Sequence, residues 1–263
     1  MIGREIILAL SYKYKGDYDR IIYDVKKGKD IENKLIYEAK KAIGKDYICI
    51  LDEDYPKELK RKMFKPPIIL FYKGDINLLK NINFSNNISI VGTRKCTYYG
   101  AEATDRIIKG LPKDIVIISG LARGIDRLAH TKAMEYGLKT IAVLGSGIDY
   151  VYPSSNKDVY EAIIKNGGLI LSEYPLSTPP SPEKFVFRNR IVAALSNYLL
   201  VVEAFNMSGT STTVNYALQS NNGVGCIPSP IGDESMCNSL IKEGADLIET
   251  SEDLLFYAKI LGD

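Results

Sequence analysis

Arginine and lysine side chains follow three turns of this chain, and arginine is the side chain best suited to grip phosphate. The set consists of Arg94, Lys95, Arg123, Arg127, Lys184, Arg188 and Arg190. A planar guanidinium group binds phosphate oxygens in pairs, so several along one rim would follow a phosphodiester backbone rather than cap one phosphate. The spacing therefore favours a nucleic-acid site over a set of unrelated surface ion pairs.

A glycine turn, Gly145-Ser146-Gly147, follows an apolar run and precedes a helical pattern. Small residues let backbone N–H groups approach an anion closely, and the Ser146 hydroxyl adds a donor. The turn indicates either a phosphate site or a plain strand-to-helix connection. Neither Gly92 nor Gly120 opens a GxGxxG pattern and no GxxxxGK[ST] occurs, which disfavours a dinucleotide cofactor or a Walker-type ATPase.

Two aromatic residues, Phe185 and Phe187, stand beside the last basic group. A base stacked on an aromatic ring contributes about 1–3 kcal/mol, and duplex bases cannot use such a ring because they are already stacked. The other interpretation is that both rings anchor the segment in the core. The residues alone favour the core role for Phe187 and leave both roles open for Phe185.

Four carboxylates, Asp126, Asp149, Glu173 and Glu203, follow strands predicted to end at the same edge of a sheet. They could orient the guanidinium groups and partly offset their charge. Glu173 and Glu203 could also form the carboxylate pair of a glycosidic hydrolysis. His130 is the one histidine, which disfavours a Ser/His/Asp triad, and four separated cysteines without a CxxC pair disfavour a zinc site or a disulfide framework.

The elements that must position these groups are short apolar runs alternating with helical patterns. The predicted strands are Tyr47–Leu51, Ile68–Tyr72, Ile88–Gly92, Ile115–Gly120, Lys139–Gly145, Gly168–Glu173, Tyr198–Glu203 and Val224–Ile227. The predicted helices are Tyr99–Leu111, Ile125–Tyr136, Asn156–Lys165, Asn189–Leu195, Ser211–Ser220 and Cys237–Glu243. Continuous β-branched runs are typical of a doubly wound α/β fold with a mostly parallel sheet, whose ligands bind where strands give way to helices.

Residues 1–45 differ from the remainder, 46–263, and are predicted to form a small helical element. Between Arg20 and Lys45 eight basic residues face four acidic ones, a pattern we interpret as a solvated basic face. The whole chain of 263 residues has a net charge of +2, so positive charge at a nucleic-acid site must be local. No apolar run is long enough for a signal peptide or a membrane span, so we expect a cytoplasmic protein without a membrane partner.

Taken together, these turns resemble the signatures of the DNA-processing protein A (DprA/Smf) family across about residues 50 to 255. The motifs are Ser89-Ile90-Val91-Gly92-Thr93-Arg94, Ser119-Gly120-Leu121-Ala122-Arg123-Gly124-Ile125-Asp126, Ala129-His130, Val143-Leu144-Gly145-Ser146-Gly147-Ile148-Asp149, Tyr152-Pro153, Ser172-Glu173-Tyr174-Pro175, Phe185 with Arg188-Asn189-Arg190, Val201-Val202-Glu203-Ala204 and Ser208-Gly209-Thr210. Each motif alone is weak, but their order along the chain is specific.

The resemblance implies an extended Rossmann-like fold that binds single-stranded DNA without a cofactor or enzymatic turnover. It also implies a homodimer that protects incoming DNA during natural transformation and helps to load a RecA-type recombinase. By position, Arg94 and Gly145–Gly147 would hold phosphates, Lys184, Arg188 and Arg190 would line the groove, Phe185 would stack on a base, and Asn189 would fix the loop or bond a base edge. The expected supporting residues are Gly92, Gly120, Gly124, Asp126, Asp149, Glu173, Glu203, Ser208 and Gly209.

The sequence departs from the family pattern near its ends, because the N-terminal region looks short and the winged helix of many members is not expected after residue 263. Two other functions stay open for such a fold. One is a nucleotide N-glycosidase resembling the phosphoribohydrolases, whose Pro-Gly-Gly-x-Gly-Thr run is not matched by Ser208-Gly209-Thr210. The other is a nucleotide-sensing module that holds one small ligand at its glycine turn.

Overall fold

The computed structural model describes residues 2–205 and 209–260. Twelve α-helices and nine β-strands occur in these ranges. The helices are α1 (Ile2–Tyr14), α2 (Tyr18–Lys26), α3 (Asn33–Ile43), α4 (Lys57–Lys62), α5 (Asn77–Lys80), α6 (Tyr98–Lys109), α7 (Ile125–Glu135), α8 (Lys157–Lys165), α9 (Pro182–Ala194), α10 (Gly209–Gln219), α11 (Met236–Lys242) and α12 (Ser251–Ile260). The strands are β1 (Tyr47–Cys49), β2 (Ile69–Gly74), β3 (Asn87–Val91), β4 (Val116–Ser119), β5 (Lys139–Gly147), β6 (Leu169–Tyr174), β7 (Tyr198–Val201), β8 (Gly223–Cys226) and β9 (Asp246–Leu247).

The strands form one sheet in the order β1-β2-β6-β5-β4-β3-β7-β8-β9. Strands β3 to β9 are mutually parallel, whereas β2 runs antiparallel to β6 and β1 antiparallel to β2. The chain moves outward from β3 through β6 and then returns through α9 to build β7 on the other side of β3. This reversal is the topological switch at which doubly wound sheets bind ligands, and it confirms the predicted fold class.

The apolar runs form parallel strands because helices cover both faces of the sheet. All five residues of β3 and all four of β7 are buried. One face packs Ile88, Ile117 and Leu200 against α6, α7 and α12. Such two-sided burial explains why these strands lack the polar alternation of a half-exposed sheet.

The N-terminal region is a three-helix unit that packs against the β1–β2–β6 part of the sheet. Its Leu8, Ile21 and Ala39 side chains share one apolar cluster with Ile69 and Ile170 of the sheet. Part of the predicted basic face is neutralised, since Lys29 pairs with Asp24 and Lys40 with Glu5. The sequence pattern therefore marked helical structure correctly but did not separate α1, α2 and α3.

The helix bounds differ most from prediction at α9, which begins at Pro182 instead of Asn189. Proline is well tolerated in the first turn of a helix, where its missing N–H would have had no partner. Strand β5 runs on to Gly147 instead of ending at Gly145, and the two-residue β9 was not predicted. None of the described helices combines the length and apolar composition needed to cross a lipid bilayer.

Candidate functional site

A cleft of about 640 Å³ opens at the carboxyl ends of β3 and β4, between these strand ends and helices α9 and α10. Backbone at Gly92 and Gly120 contributes strand-end surface, and Arg94 and Phe185 contribute side chains. Thr210 and Thr213 line it from α10. The cleft therefore lies at the topological switch, where the sequence predicted a site.

An aromatic pair forms one wall of the cleft. The rings of Tyr152 and Phe185 are stacked, with centroids 5.4 Å apart and an interplanar angle of 26°. Tyr152 is 49% exposed, and the guanidinium carbon of Arg94 lies 5.7 Å from the centroid of Phe185. The wall thus offers an accessible π-face beside a cation. The sequence contained Tyr152 in its Tyr152-Pro153 motif, but nothing there assigned it to the site.

The turn that carries Arg94 is held in place by Glu203, which is buried just after β7. The Glu203 carbonyl accepts a hydrogen bond from Thr93 N at 2.7 Å, and its carboxylate accepts one from Thr97 N at 3.0 Å. Gly124 has a φ of +71°, and a Cβ there would lie 2.2 Å from the Thr93 carbonyl oxygen. Glu203 and Gly124 thus hold the turn that carries Arg94. Both had been predicted to support the site.

The exposed basic residues near the cleft are Arg94, Lys95 and Arg123. Among the described residues, none of the three forms an ion pair with an acidic side chain. Arg94 lines the cleft, whereas Lys95 and Arg123 lie on neighbouring turns outside its lining. Arg127 differs, because its guanidinium forms two hydrogen bonds with Asp158, at 2.8 and 2.5 Å.

Arg188 forms the floor of the cleft instead of projecting into it as a phosphate ligand. Its Nη1 donates hydrogen bonds to the carbonyls of Gly120, at 2.5 Å, and Val143. A Cβ on Gly120 would lie 2.6 Å from this guanidinium group, which explains the glycine. Burial lowers the pKa of Arg188 to about 10 and raises that of the neighbouring Asp126 carboxyl. Both groups belong to the interior, where backbone partners stabilise them.

Asn189 links the two helices at the mouth of the cleft. Its Oδ1 accepts a hydrogen bond from Arg188 Nε at 3.1 Å, and its Nδ2 lies 3.5 Å from the Gly209 carbonyl oxygen of α10. These contacts bridge α9 and α10, and the predicted roles of Asn189 in DNA binding stay predictions. Ser208, predicted beside Gly209, lies outside the described residues.

Arg190 lies on the opposite flank of α9 from the cleft, against the prediction that it lines the groove. Residues two apart on a helix project about 200° from each other. Arg190 therefore turns away from Arg188 and forms two hydrogen bonds of 2.6 Å with Glu173, while both side chains are buried. Its guanidinium also lies 3.7 Å from the ring centroid of Phe187, which is half-buried on this flank of the helix.

Lys184 is also outside the cleft lining. Its Nζ donates a hydrogen bond to the Pro179 carbonyl at 2.6 Å and lies 5.6 Å from the centroid of the Tyr174 ring. The side chain is half-buried on the flank of α9 that faces the N-terminal helices. Lys184 therefore does not line the cleft as predicted. It is already part of α9, and the helix directs its side chain away from the cleft.

The segment Gly145–Gly147 is buried strand and does not form an open anion-binding turn. The Ser146 hydroxyl donates to the Tyr150 carbonyl at 2.7 Å, and Gly147 N donates to the Thr178 carbonyl at 2.8 Å. A Cβ on Gly145 would lie 2.6 Å from Phe185 Cδ1, so this glycine lets the aromatic wall approach the strand. Asp149 also acts locally, accepting a hydrogen bond from Ser177 N at 2.7 Å.

The suggested carboxylate pair is ruled out by the strand order. Glu173 ends β6 and Glu203 follows β7, and these strands are separated by β5, β4 and β3. Four strand spacings amount to roughly 19 Å, whereas glycosidic hydrolysis needs two carboxyl groups within about 10 Å. Consecutive strands of the chain are not neighbours in the sheet at the point where the strand order reverses.

The last titratable candidate, His130, lies in the interior of the fold. His130 is buried, donates from Nδ1 to Thr140 Oγ1 at 2.6 Å, and has a pKa lowered to about 3 by burial. Within residues 2–205 and 209–260, no cluster of three His, Cys, Asp or Glu side chains could hold a metal ion.

The sheet and cleft define a Rossmann-type α/β protein with a partly aromatic ligand site at its topological switch. Residues 46–259 match the family model of DNA recombination-mediator protein A, so the chain belongs to this DprA/Smf family. The match confirms the family resemblance of the sequence motifs, and it covers every element from β1 onward up to residue 259.

Two relatives illustrate the extent of the similarity. The DNA processing protein DprA of Streptococcus pneumoniae is 34% identical over 268 residues, which cover 97% of this chain and 93% of the relative. Protein Smf of Synechocystis is 41% identical over 207 residues, covering 78% of this chain. The chain spans only about half of that relative, 52% of its length.

Two solved structures share the fold. The X-ray structure of Streptococcus pneumoniae DprA superposes with a TM-score of 0.78 at 33% identity, over 96% of this chain and 92% of that one. DNA processing protein A of Helicobacter pylori, whose structure describes its single-stranded DNA binding mode, gives a TM-score of 0.71 at 29% identity. That superposition covers 82% of this chain and 96% of the Helicobacter pylori chain.

Proposed function

We propose that this chain binds single-stranded DNA without sequence preference in the cleft at its topological switch. The observation that carries the proposal is the stacked, partly exposed pair of Tyr152 and Phe185 beside Arg94. A ring face accepts any base, and a neighbouring cation attracts the phosphate that joins two bases. Family membership and the single-stranded DNA binding mode described for the Helicobacter pylori relative support the same ligand.

The charge around the cleft favours an anionic polymer although the chain as a whole is nearly neutral. Arg94, Lys95 and Arg123 are exposed, while the carboxylates of Asp126 and Glu203 are buried and the exposed Asp149 accepts a hydrogen bond from Ser177 N. A strand crossing this edge therefore meets cations first. Binding should release counterions and weaken with salt, as expected when phosphates are neutralised.

The binding would involve no chemical turnover. Glu173 and Glu203 lie too far apart to act together, and the buried His130 faces Thr140. A cytoplasmic homodimer that protects incoming DNA and helps to load a RecA-type recombinase in natural transformation is the cellular role we propose. It rests on the family and on the relatives named as DNA processing proteins.

Fluorescence anisotropy with labelled oligo-dT and a duplex of equal length, at two salt concentrations, tests the proposal. The single strand should bind more tightly, with an affinity that falls as salt rises. Arg94→Ala should weaken binding, whereas Arg127→Ala, which removes an arginine paired with Asp158, should not. Equal affinity for the duplex would contradict the proposal. Displacement of the oligomer by a mononucleotide would favour a nucleotide-sensing module, and release of free base would favour the N-glycosidase.

A further inference from the structure

The most exposed aromatic side chain in the described residues is Phe64, which is 97% exposed between α4 and β2. The segment that carries it is anchored on both sides. Met63 before it is buried in the core, and three residues later the Pro67 carbonyl accepts a hydrogen bond from the Tyr55 hydroxyl at 2.7 Å. The backbone on both sides of Phe64 is therefore held against the fold.

Most of the exposed side chains of α4, which precedes Phe64, are cationic, and Glu58 is the one exposed carboxylate among them. Lys57, Lys60 and Arg61 of α4 are exposed, and within the described ranges none of them forms an ion pair. The other lysine of this helix, Lys62, turns inward and donates to the Ser196 carbonyl at 3.0 Å. Phe64 is thus an exposed apolar ring at the end of a predominantly basic helix.

The segment is joined to α9 on the flank opposite the cleft. The carbonyl of Lys65 accepts a hydrogen bond from Arg190 Nε at 3.0 Å, and Arg190 lies over the ring of Phe187. Lys184 is one helical turn before Phe187 on the same flank. The first turn of α9, with Phe185 on one side and Lys184 on the other, therefore separates the cleft from the surface that leads to Phe64.

We propose that Phe64 is a second stacking contact for the single strand bound in the cleft, reached after the strand passes over the first turn of α9. This inference rests on the proposed function. Lys184 would meet a phosphate on the way, and Lys57, Lys60 and Arg61 would hold the backbone beside the stacked base. A phenylalanine among lysines suits an unpaired base because the ring stacks on the base while the cations pair with phosphate. An anionic lipid surface could use the same ring and cations, and the vesicle titration described below distinguishes it from a DNA strand.

A tryptophan probe can test the contact directly, since the chain contains no tryptophan. Phe64→Trp would place the one indole at the proposed contact, where a stacked base quenches its emission. Oligo-dT would be titrated at lengths from about 4 to about 16 nucleotides, the range of known site sizes. We expect quenching only beyond a threshold length, while shorter oligomers still compete for the cleft.

Tyr37→Trp is the matched control, because Tyr37 is 67% exposed on α3 and has Lys34 and Lys41 on the same helix face. Its emission should not respond at any length. Phe64→Ala should lower the affinity for long oligomers at least about fivefold, which is the lower limit for the loss of one stacked base. The affinity for short oligomers should be unchanged. Since Phe64 is exposed, the substitution should not alter the fold, which circular dichroism would verify.

The outcomes separate the two proposals. If the wild-type chain binds no oligo-dT, the proposed function fails. If it binds, but Phe64→Trp emission and Phe64→Ala affinity are unchanged at every length, only the second contact fails. A shift of Phe64→Trp emission with anionic lipid vesicles, and none with oligo-dT, would identify a lipid-facing surface and overturn the inference.

Discussion

Arg190 and Glu173 form a buried ion pair with two hydrogen bonds of 2.6 Å, although the sequence had grouped Arg190 with the DNA-facing cations. The pair joins α9 to the end of β6, and the same guanidinium holds the Lys65 carbonyl. The pair therefore stabilises the fold and holds α9 in position. It affects the cleft only indirectly, through this helix.

Arg190→Met should lower the free energy of unfolding by about 3–5 kcal/mol, because it leaves the Glu173 carboxylate buried without its partner. Urea unfolding followed by circular dichroism measures the change. Arg127→Met is the control, since it breaks a more exposed pair with Asp158 and should change the free energy of unfolding much less. A stable Arg190→Met protein that has lost its affinity for DNA would instead place Arg190 in the binding surface.

Tyr152→Leu should weaken binding of single-stranded DNA by about 1–3 kcal/mol, the value of one stacked base. Its effect on duplex binding should be smaller, so the preference for single strands should shrink. Anisotropy titrations with both ligands measure the ratio. Tyr37→Leu, which alters a tyrosine on α3, serves as control. An unchanged ratio would show that the aromatic pair does not contact bases.

Arg94→Ala should reduce the steepness with which affinity falls with salt. Each phosphate that a single strand presents to a cation contributes about 0.7 to the slope of log K against log salt. Loss of one contact should lower the slope by about that amount. The measurement is a series of titrations at increasing salt, and Arg127→Ala should retain the wild-type slope. A parallel loss of affinity at all salt concentrations would mean that Arg94 supports the turn without touching phosphate.

His130 should make the fold less stable as the pH falls below neutrality. Burial lowers its pKa from the ordinary 6.5 to about 3, so between these values the unfolded chain binds a proton that the folded chain excludes. Stability therefore rises with pH across this window, by about 1.4 kcal/mol for each pH unit below 6.5. From pH 7 to pH 5 the wild type should lose about 2 kcal/mol by this route.

His130→Gln should abolish most of this loss, because the amide can still bond Thr140 and does not titrate. His130 is the one histidine of the chain, so no other imidazole contributes to the same pH range. Urea unfolding at pH 7 and pH 5 gives both values. If His130→Gln retained the full pH dependence, the loss would arise from carboxyl groups.

Much of the fold could be predicted because the buried parallel strands are long apolar runs. The eight predicted strands all occur, whereas β9 has two residues and is too short to show a pattern. Helix α9 was predicted to begin at Asn189, seven residues after its actual start at Pro182. Because Arg188 fell outside the predicted helix, the sequence did not show that Arg188 and Arg190 lie on one helix and point in nearly opposite directions.

The position of the site was predictable, but the roles of several residues were not. Strand ends and glycines marked the edge of the sheet correctly. Whether Gly145 admits an anion or the ring of Phe185 depends on the path of α9, which lies 40 residues further along the chain. The predicted carboxylate pair of Glu173 and Glu203 was likewise wrong, because β6 and β7 are consecutive in the chain but far apart in the sheet. Such contacts follow from tertiary packing, which local patterns do not encode.

Helix α9 carries the floor of the cleft on one flank and the anchor of the N-terminal helices on the other. One inserted or deleted residue between Arg188 and Arg190 would rotate these two positions by about 100° relative to each other. Arg188 could then no longer reach Gly120 while Arg190 stayed on Glu173. The helix can therefore accept substitutions more readily than changes of length, and related chains should differ here in residue type while their alignment in this helix contains no gaps.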